Sequence, residues 1–368
     1  MNNHSCLDCH TVFDTEKTLK RHQNLHKKRE PEGVMAEFNI DKLPAHFSVE
    51  YWRERKDLKA ALQERRGHGY QWASPALSDD IRQRLESELL DSRRRKLEYF
   101  PSMAEASSSV SGKQNASASN KPLPPVSPRN SETYAALVID CEMVGLEDGS
   151  SDLVRISVID FFKGDIVLNN LVQPIGRVKD WRSSVSGVDY ALLQATKAKL
   201  NETVLKGWPE ARQKLFAIAD ANTIFLGHSL PNDMKILRIV ADRVVDSQVL
   251  TAQAAFGRSN TKFLRTWGLK SGCKDLMGIE IQQSRTAHDP LEDALATREL
   301  IIWCLTHPNE LLEWGKKAKL EYEKKDQAMR EKQRADAIKR AEARKRLEDA
   351  TVEMGEASGE FPTLTGDF

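Results

Sequence analysis

The run Leu137-Val138-Ile139-Asp140-Cys141-Glu142 sets two carboxylates inside an otherwise apolar, strand-forming stretch. Successive strand side chains point to opposite faces, so Asp140 and Glu142 share one face, about 7 Å apart along the strand. Two unpaired acids so placed repel each other and lose hydration. A divalent cation resolves that conflict, because hard carboxylate oxygens suit magnesium or manganese. Taken alone, such a pair is better read as a strand end whose acids face water.

Two further segments carry matching chemistry. Gly227-His228-Ser229-Leu230-Pro231-Asn232-Asp233 follows an apolar strand and leads into a helix, which puts Asp233 at a strand-to-helix edge. His288-Asp289-Pro290-Leu291-Glu292-Asp293 opens another helix, with Asp289 as N-cap, Pro290 at the first helical position and Glu292 able to reach back. His288 precedes that helix and Asp293 lies in its first turn, so both can face one cleft. Four acids and one histidine meet the needs of two-metal phosphoryl chemistry, in which carboxylates hold two cations about 4 Å apart. The histidine, with an ordinary pKa of about 6.5, can take the proton from the attacking water near neutral pH.

On the stretches VIDCEMVG (138–145), DWRSSVSGV (180–188), LGHSLPNDMKIL (226–237) and HDPLEDALATREL (288–300), residues 134–305 resemble a DEDDh exonuclease of the ribonuclease H-like superfamily. Within it they are most similar to the RNA exonucleases related to ribosomal-RNA-processing and interferon-induced enzymes. The resemblance covers a little under half the chain. It implies an α/β fold with a mixed five-stranded sheet flanked by helices, and removal of nucleoside monophosphates from a 3′ end. By position it makes Asp140, Glu142, Asp233 and Asp293 the ligands of two Mg2+ or Mn2+ ions and His288 the general base. The segment between Asp246 and His288 departs from the usual pattern, which leaves substrate preference open.

A second metal site is expected near the N-terminus. Cys6 and Cys9 are followed after twelve residues by His22, and three residues later by His26, with Phe13 and Leu19 between as a miniature core. Thiolate and imidazole ligands at this spacing close a zinc tetrahedron, so residues 4–28 look like a small ββα two-cysteine, two-histidine zinc finger holding one Zn2+. A single finger buries little surface, and it can grip nucleic acid or dock a protein. The remaining cysteines, Cys141, Cys273 and Cys304, sit singly among apolar residues, which suits a reducing compartment.

With 368 residues, two or three domains are expected. Residues 35–100 read as a charged helical region, with Ile81, Leu85 and Leu89 lining one face after a helix start at Ser78-Asp79-Asp80. Residues 101–132 are rich in Ser, Pro and Asn and read as a disordered linker. The nuclease domain is placed at 133–308. It begins with a meander of three strands and continues with alternating helices and strands, including helical stretches at 209–220 and 232–240. A basic charged helix follows at 309–350, then a flexible tail at 351–368. There is no apolar run of transmembrane length and no signal-peptide core, so no membrane partner is expected.

Four more residues are candidates for substrate contact. Met143 either wedges against the terminal nucleotide or packs in the core. Arg182 can reach a phosphate or ribose hydroxyl, or else form a surface salt bridge. His228 is read chiefly as holding its turn, and Asn232 chiefly as a helix cap. The basic runs Arg93-Arg94-Arg95-Lys96 and Lys339-Arg340 to Arg344-Lys345-Arg346 suit nuclear import, phosphate contact or a solvated helix face. The resulting expectation is an RNA 3′→5′ exonuclease of the nucleus or nucleolus, acting in ribosomal or other RNA processing, with the cytoplasm as the alternative location. Rival readings are a DNA 3′→5′ exonuclease and a non-catalytic adaptor that binds nucleic acid or protein through the finger or the C-terminal helix.

Overall fold

The structure, a computed structural model, describes residues 4–5, 12–13, 20, 79–103, 119–126, 133–200, 204–282 and 288–357. The chain divides into two compact units, Met1–Arg65 and Arg66–Phe368. In the first, β1 (His4–Ser5) pairs antiparallel with β2 (Val12–Phe13), so a hairpin brackets the two cysteines in sequence. The expected zinc ligands Cys6, Cys9, His22 and His26 lie outside the described residues, as does the stretch 35–78 of the expected charged helical region.

The second unit opens with α1 (Asp79–Ser87) and α2 (Ser92–Leu97). Ile81 and Leu85 are buried as their spacing predicts, but Leu89 is not. The helix ends at Ser87, which breaks the period, and Leu90 is buried instead while its N–H donates to Val244 O at 3.0 Å. The neighbouring basic run is only partly available to a partner. Arg94 is 5% exposed, pairs with Glu98 at 2.9 Å and lies 4.1 Å from the Phe263 ring, while Arg95 pairs with Asp242 at 2.7 Å.

Part of the expected linker is also built into the fold. β3 (Lys121–Pro122) sits in residues 119–126, where Leu123 is buried, Ala221 N–H donates to Pro124 O and Arg212 Nη1 donates to Ser119 O. This stretch has little apolar surface to bury, and hydrogen bonds to its backbone hold it instead.

Next come β4 (Ala136–Leu146), β5 (Ser151–Asp160), β6 (Ile166–Leu171) and β7 (Val178–Asp180). The short α3 (Ser183–Ser186), then α4 (Tyr190–Leu200) and α5 (Trp208–Ile218) lead to β8 (Ile224–Gly227) and α6 (Pro231–Leu237). The helix expected over 232–240 stops early. Arg238 turns left-handed at φ 55°, and β9 (Ile239–Val240) runs extended to pair with β3. β10 (Val244–Asp246), α7 (Ser247–Phe256), α8 (Leu269–Gly272), α9 (Pro290–Thr306) and α10 (Pro308–Ala357) complete the unit.

The sheet is mixed, in the order β10-β8-β4-β5-β6, and β7 adds a sixth strand beside the far end of β4. β10, β8 and β4 run parallel, whereas β5 and β6 are antiparallel additions. Leu137, Ile139 and Cys141 join Trp208, Leu215, Met234 and Leu237 in the main core. The alternate residues Val138, Asp140 and Glu142 face the other way, where α9 packs against β4 and β5.

The helix expected over 309–350 runs to Ala357, taking in the first residues of the expected tail. Its base is docked, not free. Trp314 lies 5.2 Å from Trp267 between ring centroids, and a Cβ at Gly315 would fall 2.3 Å from Ala254 O. Only glycine lets α10 approach α7 so closely. From about residue 319 to 345 the helix is mainly exposed.

Candidate active site

β8 accompanies β4 only as far as Leu226, opposite Val138. Beyond that point β4 runs on without its parallel neighbour, and Asp140 and Glu142 follow immediately. The Cys141 N–H therefore finds no strand partner on that side and donates to Asp233 Oδ1 at 2.9 Å. This bond brings the carboxylate from α6 to the acids of β4. On the other edge Asp140 pairs with Ser157 and Glu142 with Arg155, and the register then slips between Glu142 and Met143, a bulge that ends the regular ladder at the site.

The loop before Asp233 is tightly specified. At Gly227 a Cβ would lie 2.8 Å from Leu230, so the turn into α6 needs glycine. Asp246, fully enclosed, accepts from the Ser229 N–H at 3.1 Å and the Leu230 N–H at 2.9 Å, and also caps α7 through Gln248 N–H. Burial pushes its carboxyl up to about 6.

α9 delivers the rest. Asp289 caps it by accepting from Leu291 N–H at 3.1 Å, as expected, and also meets Arg155 Nη2 at 3.0 Å. Glu292 does not reach back to the cap. Its Oε2 accepts instead from Gln282 N–H at 3.2 Å. His288 N–H donates to Val185 O at 2.8 Å, so the DWRSSVSGV stretch anchors the histidine's backbone. His288 Nδ1 lies 3.5 Å from Asp293 Oδ2. Ligand atoms of Glu142, His288 and Asp293 all lie within 4.8 Å of one another.

The electrostatics follow from crowding. Burial, then the charges of Asp293, Asp233 and Glu142, raise the Asp140 carboxyl well above its usual range, against an opposing pull from Arg155. Burial likewise raises Asp233, although the Cys141 N–H works against it. Glu142 is pushed up to about 7, chiefly by burial, with His288 and Arg155 opposing and Asp293 reinforcing the shift. His288 is raised by its contact with Asp293 and by the charges around it. Asp140, Glu142, Asp233, His288 and Asp293 thus share one site. The convergence of hard oxygen donors, with Asp140, Glu142 and Asp233 holding their protons too tightly, fits divalent cations, which favour the ionised form.

The four substrate-contact candidates are more scattered in role. Met143 is half-buried and packs against the core. Arg182 is exposed, left-handed at φ 47°, with Nη2 3.3 Å from Ser151 Oγ. His228 Nδ1 contacts Ser247 Oγ at 2.8 Å, and burial pulls its pKa down to about 4. Asn232 does not cap α6, whose N-cap is Leu230; its side chain donates to Ser229 Oγ at 3.0 Å.

Three residues escaped the sequence reading. Arg155 stands as a lone charge within the apolar run of β5, a pattern visible in the sequence once that strand is paired with the one bearing Glu142. Asp246 and Gln282 carried no such mark.

No family model matches the chain. Its central segment is homologous to proteins named as RNA nucleases. RNA exonuclease 3 of Candida albicans is 31% identical over 165 residues, covering 45% of this chain and 37% of that protein. Small RNA degrading nuclease 2 of Arabidopsis thaliana is 30% identical over 188 residues, covering 51% of this chain and 38% of that protein. The chain therefore spans about two-fifths of the length of these curated relatives. A solved Saccharomyces cerevisiae Pan2 pseudoubiquitin hydrolase–RNA exonuclease module in complex with AAGGAA RNA is similar over 59% of this chain and 36% of that one, at 19% identity and a TM-score of 0.43. At that distance it is a likeness and no more.

Proposed function

From this homology to RNA exonucleases, we propose that residues 133–308 form a metal-dependent 3′→5′ exoribonuclease releasing nucleoside 5′-monophosphates. The observation that carries the reading is the convergence of Asp140, Glu142, Asp233, His288 and Asp293, from three separated stretches, on one site. Asp140, Glu142, Asp233 and Asp293 would hold Mg2+ or Mn2+, the cations suited to hard oxygen donors. When bound, a pair of such ions stabilises the attacking and leaving oxygens of the phosphodiester.

The protein's own groups do the rest. His288 is 44% exposed, so water reaches it, and with Nδ1 directed at Asp293 its Nε2 is left to take the proton. Arg155 and the Cys141 N–H hold the acids together against their mutual repulsion. Met143 and Arg182, beside the acids and on the neighbouring exposed turn, are assigned to the terminal nucleotide. His228, neutral and held by Ser247, and Asn232, exposed on α6, support the turn into Asp233 and flank the path of the RNA.

The finger at 4–28 is assigned one Zn2+ through Cys6, Cys9, His22 and His26, and the β1–β2 hairpin supports that assignment. The finger, and separately the exposed basic part of α10, would each contact RNA or recruit a protein. Residence in the nucleus or nucleolus and a role in ribosomal-RNA processing belong to the same reading. Among the described residues, no helix is long and apolar enough to cross a membrane.

The decisive measurement is digestion of matched single-stranded RNA and DNA oligonucleotides, 5′-labelled, with Mg2+ or Mn2+. Shortening of RNA from its 3′ end, lost at least 10³-fold in Asp140→Asn and Asp293→Asn, is expected. Faster digestion of DNA would make the enzyme a DNA exonuclease, and no digestion of either would leave an adaptor.

A further inference from the structure

Gln282 has no part in the machinery assigned above, yet its side chain is committed to it. Nε2 lies 3.1 and 3.0 Å from the two oxygens of Asp293 and 3.4 Å from His288 Nδ1. An ionised carboxylate only accepts, so the amide nitrogen must be the atom that faces it. The near-equal distances show that the nitrogen engages both oxygens, the same atoms a cation at Asp293 would use.

The backbone is arranged to keep it there. Gln282 N–H donates to Glu292 Oε2 at 3.2 Å, and its carbonyl accepts from Lys270 Nζ at 2.9 Å. Its φ of 54° lies in the left-handed region, which a residue with a Cβ adopts only where the surroundings impose it. A strained residue clamped at both ends, with its side chain gripping a candidate metal ligand, is a built feature.

On the reading of this site as a metal-dependent exonuclease, we propose that Gln282 is a positioning residue whose amide stands in for the cation at Asp293. Before the cation binds, the amide holds the carboxylate beside His288 and offsets part of its charge. When the cation binds, it takes the same oxygens and the amide gives them up. Gln282 therefore lowers the site's affinity for metal while keeping the metal-free site assembled.

Competition of this kind has a signature that a merely structural residue lacks, because removing the side chain should tighten metal binding. The test is calorimetric titration of the full chain with Mn2+ alone, without RNA, comparing wild type, Gln282→Met, Gln282→Gly and Asp293→Ala. Methionine keeps the length of the side chain and removes the donors. Glycine also removes the left-handed strain, so that variant keeps the local backbone conformation at no steric cost. Both are expected to bind Mn2+ about fivefold more tightly than wild type, the equivalent of one net hydrogen bond. Their metal-free melting temperature is expected to fall in the Met variant. Equal or weaker Mn2+ binding in both variants overturns the proposal. Failure of the wild type to bind Mn2+, or undiminished binding by Asp293→Ala, instead overturns the exonuclease reading and removes the ground beneath this one.

Discussion

On one flank of the site, Asp140 and Glu142 project from a strand laddered to β5, and Asp233 is drawn to the same strand by a backbone N–H. On the opposite flank, His288 is tied by its N–H to Val185 O, and its ring lies 3.5 Å from Asp293 and 3.4 Å from Gln282. The strand flank is enclosed, and its geometry is set by sheet hydrogen bonds. On the helix flank Asp293 is buried, but the His288 ring is half open, and its long contacts leave it room to adjust. Ligands that must hold cations at fixed spacing gain from the first kind of construction. A base that must exchange protons with water gains from the second.

The sharpest way to break this comparison is His288→Ala. If the helix flank is chemically essential but mechanically peripheral, turnover should fall about 10²- to 10⁴-fold. The melting temperature should move by less than about 2 °C, as for a substitution outside the core. Mn2+ affinity measured by calorimetry should stay within about threefold of wild type. Parallel losses in metal binding and turnover would make His288 a ligand, and the distinction between the flanks would fail.

The strand flank should respond in the reverse manner. Arg155 is 3% exposed, pairs with Asp289 at 3.0 Å and opposes the acids of β4. Arg155→Met keeps the bulk but leaves Asp289 and the acids without that charge. Breaking a buried pair from one side costs about 3–5 kcal/mol. Chemical denaturation of the metal-free protein should show that loss, and saturating Mg2+ should recover part of it by supplying positive charge. A change below about 1 kcal/mol would mean that Arg155 contributes packing and little electrostatics.

These two flanks were unequally legible in the sequence. The D-x-E pair, the Asp289 cap and the α9 start follow from strand alternation and helix-cap chemistry, both of which are local. The mixed sheet and its opening meander were readable for the same reason. Arg155 was harder, since a charge in an apolar strand acquires meaning only when its pairing partner is known. Gln282 acts on groups 6 to 12 residues away, and Asp246 on a turn 16 and 17 residues before it, and local spacing does not fix such pairings. Ordering of residues 119–126 was hidden similarly, because pairing of β3 with β9 relies on backbone groups that composition does not reveal. The basic run at 93–96 misled in the opposite sense, since Arg94 is spent on Glu98 and Phe263.

The smallest effect comes from titrating the strand flank, and its sign can be worked out. Glu142 is raised from an ordinary 4.5 to about 7, so between those values the folded protein keeps a proton that the unfolded chain has lost. Stability of the metal-free protein should therefore fall as pH rises from 4.5 to 7, by about 3 kcal/mol for this group. His228, lowered from 6.5 to about 4, works the other way, since folding stability is lost as pH falls through the same region. In the wild-type curve these two oppose each other, and the raised carboxyls of Asp140, Asp233 and Asp246 add to the contribution of Glu142. Subtracting the curve of Glu142→Gln isolates the carboxylate: the variant should gain on wild type steadily from pH 4.5 to 7 without Mg2+. With saturating Mg2+ the ionised carboxylate is the favoured form, and wild type should recover its deficit above pH 7. A difference curve that stays flat across this window would show that Glu142 keeps an ordinary pKa, and that the strand flank is less enclosed than its geometry implies.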